Sequence, residues 1–238
     1  MEMTWPELRD HVRQALSDLN RCDPALLELR ANERSVTHKL AEYLRRSLDR
    51  YLKQGPEKPG KLSIDCEYNR FGDNGRPKYL PWDQEEPIED GGAYYTPNPD
   101  IIFHERTQQD SNVLAIEVKT YYNAYASVVL LDKMKLTGYL RVPTFYQNGL
   151  YLNLGFDGKQ ILLSEALLVE RSRLEKVDEG SLVDLWLTGK NLLVKPDTKT
   201  RRPGFLAPTK EMDNAASKLM KDFERTFCFV SVLDEIRW

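Results

Sequence analysis

Between Pro99 and Thr120 the chain reads PDIIFHERTQQDSNVLAIEVKT. Two apolar runs, IIF and VLAI, flank a polar turn, and each carries a carboxylate at its end away from that turn, Asp100 and Glu117. Lys119 follows two residues after the second acid. A symmetric antiparallel hairpin centred between Gln108 and Gln109 sets Asp100 opposite Glu117. Directly opposed residues bring Cβ atoms to about 4.5–5.5 Å, and like charges there repel. The strand period of two puts Glu117 and Lys119 on one face. Two acids that close need either a proton or a cation between them. A hard divalent ion with oxygen ligands, Mg²⁺ or Mn²⁺, meets that need. One of its waters, with lowered pKa and held by Lys119, would be placed to attack a phosphodiester. The plainer alternative is a strand-end salt bridge for Lys119, with Asp100 only a turn residue after Pro99.

The elements that must position these residues are legible from periodicity. Residues 6–19 predict a helix, with Leu8, Val12, Ala15, Leu16 and Leu19 at helical spacing, Thr4 as cap and Pro6 in the first turn. A second helix is predicted over 32–53 from an Asn32 cap, with an apolar stripe of Val36, Leu40, Leu44 and Leu48. Residues 61–69 alternate as a strand, with Ile64, Cys66 and Tyr68 on one face. A long Gly- and Pro-rich stretch, 71–98, precedes the hairpin and suits a functional lid or a disordered segment. Beyond the hairpin come a helix over 125–140 and two short strands within 144–155 that turn at Asn148-Gly149. The tail reads as a helix over 163–177, a strand or helix over 181–194, a basic loop over 195–208, a helix over 209–224 and a strand over 226–233. This order is mixed α/β (α+β-like) rather than a regular βαβ repeat.

Composition narrows the classes. The 238 residues are 41% hydrophobic and 30% charged, an ordinary globular balance. The net charge of −3 and pI near 5.8 supply no global attraction to nucleic acid, so any such contact needs local patches or a bound cation. Cys22, Cys66 and Cys228 are far apart and lack metal-site spacing, which makes a reduced, cytoplasmic protein the expectation. The N-terminal MEMTWPELRD has no apolar core of the signal-peptide kind, and the longest apolar runs are too short to span a bilayer.

Pro99-Asp100, sixteen intervening residues and then Glu117-Val118-Lys119 resemble the PD-(D/E)xK nuclease superfamily, the restriction-endonuclease-like fold. The resemblance covers roughly residues 30–156. It implies a mixed sheet flanked by helices, with Asp100 and Glu117 binding Mg²⁺ (or Mn²⁺) and Lys119 orienting the nucleophilic water. Family members often add a glutamate from the helix before the sheet. Glu33 is the candidate, because it shares the inward stripe of Val36 and Leu40, whereas Glu42 falls half a turn away. Its alternative role is a first-turn glutamate serving the helix dipole. Exonuclease-like branches carry Gln and Tyr four apart after the hairpin. Lys135 and Tyr139 have that spacing with Lys in place of Gln, and read by themselves as a surface lysine and a core tyrosine.

Other signals are weaker. Glu67 sits on the strand expected beside the hairpin and is either a further acid of the site or, more simply, part of a solvated strand face. His11, His38 and His104 form no metal spacing, and His104 reads as a surface residue near the turn. The basic KPDTKTRR cluster (Lys195, Lys199, Arg201, Arg202) and the loop aromatics Tyr79, Trp82, Tyr94 and Tyr95 are candidate contacts to phosphates and unpaired bases, or simply a solvated loop and its anchors. The expectation is therefore a nuclease-like core over 1–160 with N-terminal helices, and an extension over 161–238 packed on the same domain. The catalytic set is Asp100, Glu117, Lys119 and Glu33, with nucleic acid, DNA first, as partner and a homodimer left open. The competing readings are a catalytically inactive nuclease-fold protein that binds nucleic acid or protein, and an unrelated α+β protein in which the motif is accidental.

Overall fold

The computed structural model describes residues 3–49, 62–67, 98–105, 112–120, 125–141, 146–178 and 209–237, with shorter pieces at 52, 70–71, 76–77, 180, 184–185, 188–189, 192, 194–195 and 204–205. The chain starts with helix α1 (Trp5–Cys22), the short α2 (Ala25–Glu28) and α3 (Glu33–Ser47). Glu7 Oε2 accepts from both the Thr4 amide (2.8 Å) and the Thr4 hydroxyl (2.9 Å), which fixes the start of α1. Asn32 Oδ1 accepts from the Ser35 amide at 2.9 Å and caps α3. The predicted stripe of Val36, Leu40, Leu44 and Leu48 is buried.

The strands are β1 (Leu62–Cys66), β2 (Arg70–Phe71), β3 (Arg76–Pro77), β4 (Ile101–Glu105) and β5 (Leu114–Thr120). Helix α4 (Ala126–Tyr139), strands β6 (Asn148–Phe156) and β7 (Ile161–Glu170), and the short α5 (Arg171–Leu174) follow. Then come β8 (Val194–Lys195), β9 (Gly204–Phe205), α6 (Lys210–Thr226), β10 (Val230–Ser231) and α7 (Leu233–Ile236). The result is mixed α/β, with a six-stranded sheet in the order β1-β4-β5-β6-β7-β10. Among the described strands only β5 and β6 pair in parallel, and α4 is the crossover between them. The other pairs are antiparallel, so the sheet is mixed.

Helices cover both faces, and the strands between them read as nearly continuous apolar runs for that reason. Ile101, Phe103, Leu114, Ile116 and Val118 pack in one core with α1, α3 and Ile236 of α7. Ile102, Ala115 and Tyr151 pack in a second core with α4 and with Phe223 and Phe227 near the end of α6. The two phenylalanines stack with centroids 4.1 Å apart. Helix α4 is held between sheet and α6 and is buried on most sides, Asp132 and Lys133 included.

Three expectations for the second half need correction. Asn148-Gly149 is not a hairpin turn: both residues lie inside β6. A Cβ on Gly149 would come within 2.9 Å of Leu140 Cδ1 and of Val169 Cγ1, so the glycine lets the end of α4 approach the sheet. The turn lies at Asp157-Gly158 instead. Asp157 Oδ1 accepts from the Lys159 and Gln160 amides (2.9 and 3.0 Å), and Gly158 takes φ +94°. Residues 163–170 are strand, not helix; the register slips between Asn153 and Leu154, leaving Ser164 as an extra residue, and this bulge breaks the period-two signal. The end of the chain has only the two-residue β10, followed by α7, where a longer strand was expected. Because β7 and β10 belong to the main sheet, a boundary at residue 160 runs through the β6–β7 hairpin. Most of 71–98, Tyr68, the loop aromatics and the side chains of the KPDTKTRR cluster lie outside the described residues.

Candidate active site

The hairpin has the register that symmetry about its centre requires. Ile101 pairs with Ile116, Ile102 with Ala115 and Phe103 with Leu114. Asp100 lies one step beyond the last of these pairs, the position that the same register would set against Glu117. Asp100 lies just before β4 and is tied across it, its Oδ2 accepting from the Val118 amide at 2.7 Å. Along β5, alternation sends Leu114, Ile116 and Val118 to the α3 side, and Ala115, Glu117 and Lys119 to the side of α4.

Glu33, the first residue of α3, reaches the end of β5. Its Oε1 accepts from Lys119 Nζ at 2.9 Å and its Oε2 from the Thr120 amide at 3.2 Å. Glu42 faces away, paired with Lys39 and Arg46 on the half-exposed side of the helix. Asp132 on α4 completes the cluster. Its Oδ2 lies 2.8 Å from Lys119 Nζ, and its Oδ1 accepts from Lys135 Nζ, also at 2.8 Å. Nothing in the spacing of the PD…ExK pattern points to Asp132. Its signal, visible only once α4 is known to be covered on both sides, is a charged residue on a buried helix.

The expectation of a surface lysine and a plain core tyrosine is also corrected. Tyr139 donates its hydroxyl to Glu117 Oε1 at 3.2 Å, and Lys135 Nζ stands 3.5 Å from Glu117 Oε2. Glu67 follows β1 in a left-handed conformation (φ 51°), its amide donating to the Pro99 carbonyl at 3.1 Å and its carboxylate pairing with Arg34 at 2.7 Å. It therefore braces the Asp100 backbone from outside the cluster. His104 is buried, not superficial, and contacts Asp65 Oδ2 through Nε2 at 2.9 Å.

Glu33, Asp100, Glu117 and Asp132 thus share one pocket of charge with Lys119 and Lys135, four acids against two ammonium groups. Burial pushes the Asp100 carboxyl up to about 6; the Val118 amide opposes this, and Asp132 and Glu33 add to it. Burial also raises Glu117 well above the carboxylate range, with Lys135 opposing and Asp100 reinforcing. Asp132 behaves oppositely: burial disfavours its charge, but Lys135 and Lys119 outweigh burial and hold it ionised. Lys119 likewise overcomes burial through Asp132 and Glu33 and keeps its proton more firmly than a free lysine. Nearby, burial, reinforced by Asp100, Asp65 and Glu67, pushes the Cys66 thiol up to about 11.

The donor set suits a hard divalent ion. Asp100 and Glu117 would offer it carboxylate oxygens, whose ionisation burial resists and a bound cation would favour. Among the described residues no group of three or more His, Cys, Asp and Glu is gathered to hold a metal. A two-carboxylate site is the usual Mg²⁺ arrangement, in which waters and substrate phosphates supply the remaining ligands.

No protein-family model matches the chain, and comparisons with curated proteins and with solved structures find no match. Among the described residues no helix is long and apolar enough to cross a membrane.

Proposed function

We propose that the chain is a Mg²⁺- or Mn²⁺-dependent nuclease with a restriction-endonuclease-like core, hydrolysing phosphodiester bonds of nucleic acid, DNA first. The observation that supports this best is the hairpin, which brings Asp100, one step beyond the paired register, to the strand that carries Glu117 and Lys119, with Glu33 bonded to that lysine. Asp100 and Glu117 would hold the ion. Once bound, it supplies Lewis acidity and a water of lowered pKa. The protein's own groups do the rest. Lys119 retains its proton, so it is not the base; it donates hydrogen bonds that orient a water or a phosphate oxygen. Glu33 and Asp132 fix its Nζ from two sides. Tyr139 fixes the orientation of Glu117 by donating to Oε1.

The near-complete burial of Glu117, 1% exposed, favours a second reading, a nuclease-fold module that binds nucleic acid or protein without cutting it. Incubation with plasmid, linear duplex, single-stranded DNA and RNA separates the two. The nuclease reading predicts cleavage of at least one substrate with Mg²⁺ or Mn²⁺, and none with EDTA. Intact Mn²⁺ binding with every substrate left whole would select the binding module.

A further inference from the structure

We propose that Lys135 is a built-in counter-cation: in the ion-free protein its ammonium lies against Glu117 where an ion would sit, Asp132 keeps it at that place, and a divalent ion taken up by Asp100 and Glu117 displaces it from Glu117 only. This rests on the reading of Asp100 and Glu117 as the metal-binding pair. The geometry of the three side chains carries the inference. Lys135 Nζ makes its short contact, 2.8 Å, to Asp132 Oδ1, and its long contact, 3.5 Å, to Glu117 Oε2. Of these two contacts, the shorter is to an acid outside the metal pair and the longer to one within it. Asp132 gives its other oxygen to Lys119 at 2.8 Å, so the two lysines are carried on one carboxylate. Glu117 also has the Tyr139 hydroxyl on Oε1, which leaves Oε2 as the oxygen that Lys135 and an ion would share.

Charge explains why such a lysine is needed. Glu117 and Asp132 are buried and Glu33 and Asp100 half-buried, and with Lys119 alone the four acids would outnumber the cation beside them, an excess that low-dielectric surroundings disfavour. Lys135 reduces that excess before any metal is present. Because its grip on Glu117 is loose, a divalent ion can replace it while the bond to Asp132 survives. Ammonium and metal therefore compete for Glu117, and the lysine lowers the apparent affinity for the ion while stabilising the ion-free chain.

The test is isothermal titration of the full chain with Mn²⁺ at fixed ionic strength, together with thermal melts in EDTA. Lys135→Met and Lys135→Gln remove the charge; the second keeps a donor for Asp132 and guards against a variant that fails to fold. Both are expected to melt lower than the parent in EDTA and to bind Mn²⁺ about tenfold more tightly, as removal of a unit charge a few ångströms from the ion requires. Lys133→Met is the control: its Nζ pairs with Glu165 and Glu224 instead, so it should leave Mn²⁺ affinity within about twofold of the parent's. Mn²⁺ affinity in the Lys135 variants equal to or weaker than the parent's overturns the proposal alone. A parent that takes up no Mn²⁺, or an Asp100→Asn variant that binds it equally well, overturns the metal pair and this inference with it.

Discussion

Lys119 is 5% exposed and is shared between Glu33 and Asp132, which makes it both a candidate catalytic group and a structural one. Lys119→Met should therefore abolish cleavage and also destabilise the chain by about 3–5 kcal/mol, since Glu33 loses its cation and the buried Asp132 one of its two. Urea unfolding in EDTA measures the second effect, and a stability unchanged within about 0.5 kcal/mol would contradict the arrangement. Asp100 makes a prediction about pH. Its carboxyl is pushed from 3.8 to about 6 on folding, mainly by burial. Below about pH 3 it is neutral in both states and has no effect. As pH rises through about 4 to 6 the unfolded chain ionises first, so stability falls, by about 3 kcal/mol in total, and the loss is complete above about pH 6. Asp100→Asn removes this slope. In EDTA the variant should melt together with the parent at about pH 3 and higher than the parent at pH 7. Equal melting temperatures at pH 7 would show that Asp100 carries no such cost. At this scale Glu33, Asp100, Glu117 and Lys119 were legible because strand and helix periods place side chains predictably. Asp132 was not, because a charge inside a helix looks like a solvated face until a second layer is known to cover it.

Helix α3 matters to the site through its first residue. Asn32 caps it, and Glu33 begins it. Asn32→Ala should lower stability by about 1 kcal/mol. It should also slow cleavage more than a cap replacement in α6, such as Thr209→Ala, does at similar stability, because fraying at Asn32 loosens the hold of Glu33 on Lys119. Cleavage rates and melting temperatures of the two variants, compared side by side, check this; equal rates would detach Glu33 from the chemistry. The elements the sequence misplaced share one cause. Asn148-Gly149 carries a strong turn signal, but its glycine answers a packing demand from Leu140 and Val169. Strand β7 carries a helix-like spacing of leucines because the bulge at Ser164 interrupts its alternation. Local pattern sets α1, α3, α4 and the hairpin, where one periodicity runs unbroken; it fails where tertiary contact overrides it.

On the scale of the whole molecule, the last third of the chain completes the architecture that holds the site. Strand β7 pairs along the length of β6, which in turn flanks β5, and α6 covers the outer side of α4 with Phe223 and Phe227. A chain ending at residue 160 would expose both the β6 edge and the apolar back of α4. It should lack a cooperative melt and bind hydrophobic dyes, and a sharp two-state transition in that fragment would contradict this. The proposed chemistry requires Asp100 and Glu117 to act together. Single-turnover cleavage of a susceptible nucleic acid by the parent, Asp100→Asn and Glu117→Gln, at equal Mn²⁺ and with circular dichroism confirming folded protein, tests that most directly. The prediction is cleavage by the parent, with each neutral variant slower by at least about a hundredfold, a loss of more than 2 kcal/mol of transition-state stabilisation. Folded variants that cut as fast as the parent would contradict it.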